Sequence, residues 1–332
     1  MTPTDLDLNS YYDDLAGWAT SLANVGEIMI PCLDAVGARS VAEVGAYAGD
    51  LTRLLVHWAA AQPGGARVLA IDPSPQDALV ALDRERDELE LIRETSLEAL
   101  PRIELPEVVI IDGDHNYWTV AEELRLIGER AEGRDLPLVM LHDVCWPHAR
   151  RDDYFAVELV PEEYRQPLAG EGTGIFPGDP GLREGGLPYP RSAASEGGAC
   201  NGVRTAVEDF VAKDEGLRFA TVPAFFGFGV VWHREAPWAE RVAAILDPWD
   251  GSSLVSRLEA GRVHHLAAEH ANLVEIWEAR ERRARQEAVL RRLLESSAFS
   301  LAERLSRLRR RAGIATGQVE LSKDEIRRVL SG

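Results

Sequence analysis

The sequence is poor in cysteine, in positive charge and in long apolar runs. Cys32, Cys145 and Cys200 are its three cysteines, and none forms a CxxC pair, so neither a zinc knuckle nor a disulfide framework is indicated. Lys plus Arg number 36 against 55 Asp plus Glu, a formal net charge of −19 over 332 residues. Nucleic-acid binders meet phosphate with surplus Lys and Arg, so this balance argues against one, and equally against adhesion to an anionic membrane. The longest mostly apolar run, Phe219 to Trp232, is broken by Pro223, Gly227 and Gly229. It is too short to cross a bilayer and reads as two buried strands. The opening residues MTPTDLDLNS lack the basic and apolar regions of a secretory leader, which gives the expectation of a cytoplasmic protein. What is present is an ordinary globular balance, 45% hydrophobic and 27% charged.

Periodicity divides the chain. Leu15, Trp18, Leu22, Val25, Ile28 and Met29 recur at helical spacing, so residues 1–37 read as a helical cap of one or two helices interrupted at Pro31. Short apolar strands then alternate with amphipathic helices. Strands are expected at 40–45, 67–72, 91–95, 107–112 and 136–142, and helices at 50–61, 76–88 and 119–132. That alternation specifies a parallel sheet covered on both faces. Residues 147–200 are rich in Gly, Pro and charge and read as a lid or a disordered insertion. A helix at 202–213 and a hairpin of 217–222 with 228–232 follow, and from Pro237 the chain is helical with breaks near 247–253 and 312–318.

The turn after the first strand reads Glu43-Val44-Gly45-Ala46-Tyr47-Ala48-Gly49-Asp50. Glycine there lets the backbone turn tightly beside a ligand. The Gly-x-Gly of a dinucleotide site is absent, which counts against a nicotinamide oxidoreductase, and Glu43 favours a ligand carrying positive charge. S-adenosylmethionine (SAM), with its sulfonium and ammonium, is such a ligand. Asp72, at the end of the second strand, can accept hydrogen bonds from ribose hydroxyls, and Ser96 stands where an adenine edge would fall. Two later strand ends gather ionisable groups: Asp112-Gly113-Asp114-His115 and His142-Asp143. In an open α/β sheet both would face the same crevice.

These motifs resemble those of class I SAM-dependent methyltransferases, above all small-molecule O-methyltransferases with a "DGDH" strand end. The resemblance covers residues 38–234. It implies a Rossmann-like, doubly wound, mostly parallel seven-stranded sheet ending in an antiparallel hairpin, with 147–200 as an inserted lid. It implies cofactor contacts from Glu43, Gly45, Ala46, Tyr47, Gly49, Asp72, Ser96 and Asp112, and His115 as general base with Asp112 and His142 beside it. A divalent cation, Mg²⁺ or another, would fall to Asp112 and Asp143 with His142 or Asp114. Two positions depart from the pattern: Tyr47 stands where the commonest first motif has glycine, and Val144 where many catechol-type relatives have an asparagine ligand. The expected reaction is methyl transfer to a hydroxyl of a sugar, natural product or catechol-like ring. The alternative is a SAM-binding or assembly protein without turnover.

The remaining segment, 235–332, is expected to be a helical extension. Residues 281–311 hold ten Arg and four Glu, net +6, which leaves −25 for the rest. Leu294, Leu301 and Leu308 recur every seven residues, with Leu290 and Leu305 near the same stripe, as in a helix packed on its own domain or on a second subunit. A homo-oligomer formed through these helices is therefore expected.

Overall fold

The computed structural model describes residues 21–131, 136–170, 172–313 and 322–331. Contacts divide the chain into two compact units, Met1–Ala268 and Glu269–Gly332. The first unit runs α1 (Gly26–Val36), β1 (Ser40–Val44), α2 (Asp50–Ala61), β2 (Arg67–Ile71), α3 (Asp77–Glu85), β3 (Leu89–Ile92), α4 (Ser96–Ala99), β4 (Val108–Ile111), α5 (Tyr117–Arg130) and β5 (Leu138–Leu141). It continues through β6 (Thr173–Gly174), β7 (Arg183–Glu184), α6 (Val203–Val211), β8 (Leu217–Val222), β9 (Phe228–His233), α7 (Ala239–Leu246) and the start of α8 (Ser253–Glu295).

Seven strands form one sheet in the order β3-β2-β1-β4-β5-β9-β8. β1 to β5 pair in parallel, and β9 runs antiparallel to both β5 and β8. Chain direction across the sheet reverses between β1 and β4, which makes their carboxyl ends the natural ligand crevice. Every residue of β4 and β5 is buried, because helices cover both faces. Side chains alternate between the two layers with the pleat. Val108, Ile110, Leu138 and Met140 join one core with α1, α2 and α7, while Val109, Ile111, Val139 and Leu141 join another with α5 and α6.

The expected doubly wound sheet and its terminal hairpin are present. Local differences have simple causes. Pro31 does not interrupt α1; it forfeits one backbone donor, but Ile28, Met29, Ile30, Cys32 and Leu33 are all buried around it and hold the helix. The part of the helical cap expected over residues 1–20 lies outside the described residues. β3 begins two residues earlier than the apolar pattern suggested. Ser96 opens a four-residue helix in which Thr95 and Glu98 form a capping box.

The 147–200 segment is folded onto the sheet end. Arg151 is fully buried and donates to the carbonyls of Ala193, Pro180 and Gly181 at 2.6, 2.8 and 3.1 Å. Asp152, equally buried, accepts from the Tyr117 and Gly202 N–H groups at 2.8 and 2.6 Å and from the Tyr154 hydroxyl at 2.8 Å. Buried polar groups with this many partners order a loop of low hydrophobicity.

The second unit holds the rest of α8, α9 (Ser297–Arg311) and α10 (Lys323–Ser331). Ser296 ends the long helix and caps the next, its hydroxyl accepting from Phe299 N–H at 3.3 Å. The expected seven-residue leucine stripe is therefore not one helix: Leu290 and Leu294 lie on α8, Leu301, Leu305 and Leu308 on α9. Lys323 joins the three helices, its ammonium bonded to the Leu294 carbonyl and to the Ser300 hydroxyl at 2.7 Å.

Candidate active site

The turn after β1 is built by backbone conformation. Gly45 has φ +86°, and a Cβ there would lie 2.1 Å from the Asp112 carbonyl oxygen. Only glycine lets the ends of β1 and β4 close to this distance. Tyr47 adopts φ +41° and leaves its ring largely exposed, so this tyrosine occupies the glycine-like conformation of the motif it departs from. Asp72 holds the turn: Oδ2 accepts from Tyr47 N–H and Oδ1 from Ser74 N–H, each at 2.7 Å. Gly49, φ +85°, is the N-cap of α2.

A cavity of about 650 Å³ opens over this turn. Glu43, Gly45, Ala46, Tyr47, Asp72, Ser96 and Asp112 all line it, together with Asp114, His115 and Trp118. Gly49 is not in its wall; it sets the loop from behind, against Leu79. Glu43 is buried at the cavity's base, where its Oε2 accepts from the Thr52 hydroxyl at 2.7 Å. Burial pushes its carboxyl up to about 8, against the pull of that hydrogen bond and with the charge of Asp112 and Asp72 adding to the rise. Glu43 therefore holds its proton at neutral pH, and the carboxylates of Asp72 and Asp112 around the opening suit a cation.

The second cluster stands where β4 and β5 end. His142 is buried, with Nδ1 2.9 Å from Asp112 Oδ1 and Nε2 2.7 Å from the Phe225 carbonyl. Both neighbours accept, so both ring nitrogens donate and the ring is an imidazolium. Burial opposes that charge, but Asp112 and Asp143 raise the group to about 10. Asp143 sits at φ +58°, an uncommon conformation for a residue with a side chain. It brings Oδ2 within 2.9 Å of His115 Nδ1 and 3.5 Å of His142 Nδ1. Burial would raise the Asp143 carboxyl, yet the two imidazoles hold it far below the usual carboxylate range. Burial likewise lowers His115 while Asp143 and Asp112 lift it to about 9, although about a quarter of the side chain stays open to solvent. His148 stacks on His115 with ring centroids 5.3 Å apart, and burial draws it down to about 4.

Asp112, His115 and Asp143 each offer a ligand atom, all within 4.8 Å of one another. His142 does not join this group, because both of its nitrogens are bonded to oxygen acceptors. Asp114 lies outside the group as well: its Oδ1 accepts from Phe155 N–H and its Oδ2 from the Thr119 hydroxyl, both at 2.9 Å. The donor set suits a divalent cation by type. Its two carboxylates already face two imidazoliums, so a cation fits there only if His115 gives up its Nδ1 proton.

Three buried groups near the site were not singled out by sequence. Glu123 lies under the cavity on α5, fully buried, and burial pushes it up to about 8 against the opposing pull of the Ser96 hydroxyl. Its signal was present: it shares a helical face with Val120, Leu124 and Ile127. Asp152 and Arg151 had none, since all their partners but Tyr154 lie tens of residues away along the chain.

Residues 42–144 match a family model described as a methyltransferase domain. This match over 42–144 agrees with the resemblance to class I SAM-dependent methyltransferases. The matched residues of this methyltransferase domain run from β1 through the end of β5 and include every strand end described above. Among solved structures the chain is similar to a SAH-bound methyltransferase from Podospora anserina, at 15% identity over 69% of this chain and 88% of that one, TM-score 0.41. An O-methyltransferase from Bacillus cereus in complex with SAH shows 14% identity over 68% and 90%, TM-score 0.40. No curated protein matches the chain. No helix among the described residues is long and apolar enough to cross a membrane.

Proposed function

We propose that this methyltransferase domain transfers the methyl group of SAM to a hydroxyl of a small molecule. The observation that carries the reading is the meeting, in one cavity, of the acidic turn around Asp72 and of His115, which the buried Asp143 holds at 2.9 Å. SAM, when bound, supplies an activated methyl on a positively charged sulfur. Asp72 and Ser96 then hold its nucleoside, the Asp112 carboxylate favours its positive end, and Glu43, protonated at neutral pH, can donate a hydrogen bond beside it. Each Asp72 oxygen keeps a lone pair after its backbone bond, so ribose hydroxyls can still be accepted.

His115 is the general base in this reading once its Nε2 has released its proton, so turnover should rise as pH climbs toward about 9. Its Nδ1 donates to Asp143, which fixes the ring and leaves Nε2 as the nitrogen that meets an acceptor hydroxyl. Asp112 and the His142 imidazolium keep Asp143 in place rather than touching the acceptor. The 147–200 segment forms the acceptor side, since Phe155 and Leu159 stand at the cavity wall with their side chains half or more exposed. Closing apolar groups over the acceptor excludes water and aligns oxygen, carbon and sulfur.

The test is calorimetry with SAM, followed by methyl transfer to a panel of phenols, sugars and glycosides with and without EDTA. Saturable SAM binding with turnover on at least one hydroxyl is expected. Asp72→Ala should abolish measurable SAM binding. His115→Ala should lower turnover by roughly 10²–10⁴-fold, the usual worth of a positioned base, with SAM affinity retained. Tight SAM binding without turnover on any acceptor would instead assign the fold to cofactor-dependent scaffolding.

A further inference from the structure

Two apolar faces of opposite charge stand exposed within the second unit. On α8, Leu273 and Trp277 are more than half exposed and Ile276 nearly half, and they line a shallow groove of about 380 Å³ with Val274 and Arg280. The surrounding stretch, 269–281, contains four Glu and one Arg, net −3. On α9, Leu301, Leu305 and Leu308 are each more than half exposed. That helix contains five Arg and one Glu, net +4.

The opposite side of α9 is already occupied. Ser300 and Glu303 face α10, bonding the Lys323 ammonium and backbone N–H. The leucines therefore project from the side turned away from α10. At helical spacing Arg304, Arg309 and Arg311 flank them. Glu269 and Glu281 flank the Leu273–Trp277 face in the same way, with Glu278 further round; Glu281 and Glu278 also form exposed ion pairs with Arg285 and Arg282 of their own helix, at 3.8 and 3.2 Å, which a partner's arginines would have to displace or share.

Pairing α9 with α9 of another molecule would set those arginines against one another. Pairing α9 with the acidic stretch of α8 sets opposite charges beside matched apolar stripes. The two helical stretches, 269–281 and α9, are also alike in length, about 18 and 21 Å at 1.5 Å per residue. Two-fold symmetry makes each such contact occur twice, since the surface that α9 of one molecule needs is offered by the other and the reverse. Twelve large apolar side chains then leave water, which brings the contact near the roughly 1,000 Å² of a specific interface.

We propose that the protein is a two-fold dimer in which α9 of each molecule lies on the Leu273–Trp277 face of α8 of its partner. Apolar contact supplies the adhesion, and the charge pattern rejects the α9–α9 alternative.

The experiment is a charge swap in the full-length chain, read by light scattering and sedimentation with helicity checked by circular dichroism. The wild-type chain should be a dimer at micromolar concentration. Arg304→Glu, Arg309→Glu and Arg311→Glu together should weaken the dimer by about 100-fold or more, since each 1.4 kcal/mol of like-charge repulsion costs a factor of ten. Glu269→Arg, Glu278→Arg and Glu281→Arg together should do the same. An equal mixture of the two variants should recover a heterodimer, because both of its contacts are again complementary. A monomeric wild-type chain overturns the proposal, as does failure of two helical, monomeric variants to associate when mixed. So does a wild-type monomer that binds vesicles of anionic lipid. Trp277→Ala removes adhesion without altering charge and should weaken both the homodimer and the heterodimer.

Discussion

Tyr47 shows how a single residue can depart from a motif while its backbone obeys it. The turn demands a positive φ, and Tyr47 supplies one at +41° although its side chain makes that conformation costly. The Asp72 carboxylate enforces the geometry through the Tyr47 N–H. Tyr47→Gly should therefore be neutral or stabilising, by up to about 1 kcal/mol, whereas Tyr47→Ala should bring no relief. Denaturant midpoints of the three proteins check this. Glu123 gives a second test at the same scale. Its folded value of about 8 exceeds the ordinary 4.5, so the folded state holds its proton after the unfolded chain has lost it. Its contribution is complete below pH 4.5 and declines as pH rises to 8, by at most about 1.4 kcal/mol per pH unit. Glu123→Gln should flatten that slope when unfolding is followed at pH 5, 6, 7 and 8. An unchanged slope would place the proton elsewhere.

At the scale of elements, glycine spacing sets the distance between strand ends. Gly45→Ala forces a Cβ into the Asp112 carbonyl as well as a φ of +86°, and one of the two strands must move. Gly65 has φ +78° but nothing within 4 Å of a built Cβ. Gly65→Ala should cost only backbone strain, on the order of 1 kcal/mol, while Gly45→Ala should cost several times more and remove SAM binding. Calorimetry and thermal unfolding of the pair separate conformation from collision. The sheet and the glycine-turn side of the cavity were legible in the sequence because they rest on local signals. Apolar strands alternate with helices, a glycine turn follows the first, and Asp72 ends the second. The chemical side was only half legible. Asp112, His115, His142 and Asp143 could be gathered from their strand ends, but not paired. Pairing depends on the left-handed backbone of Asp143 and on the Phe225 carbonyl, 83 residues away from His142. The 147–200 segment was illegible for the same reason: its order rests on Arg151 and Asp152, whose long-range partners leave no periodic trace.

For the whole molecule, net charge conceals an uneven distribution. The sum of −19 combines +6 over residues 281–311 with −25 elsewhere, and the second unit itself alternates from the acidic stretch of α8 to the basic α9. A global figure governs solubility and long-range encounter; local stripes decide which surfaces can meet. The dimer proposed for the second unit should then have a mixed salt response. Screening shortens to about 10 Å at 0.1 M salt and to about 3 Å at 1 M, so attraction between exposed arginines and glutamates fades across that range. Burial of leucine and tryptophan does not fade with it. Sedimentation of the wild-type chain should show the dimer weakening as NaCl rises from low to molar concentration, without complete dissociation. The Arg304, Arg309 and Arg311 reversal should show the opposite trend, associating better at high salt because its repulsion is screened. Parallel salt responses in the two proteins would mean that the stripes do not meet.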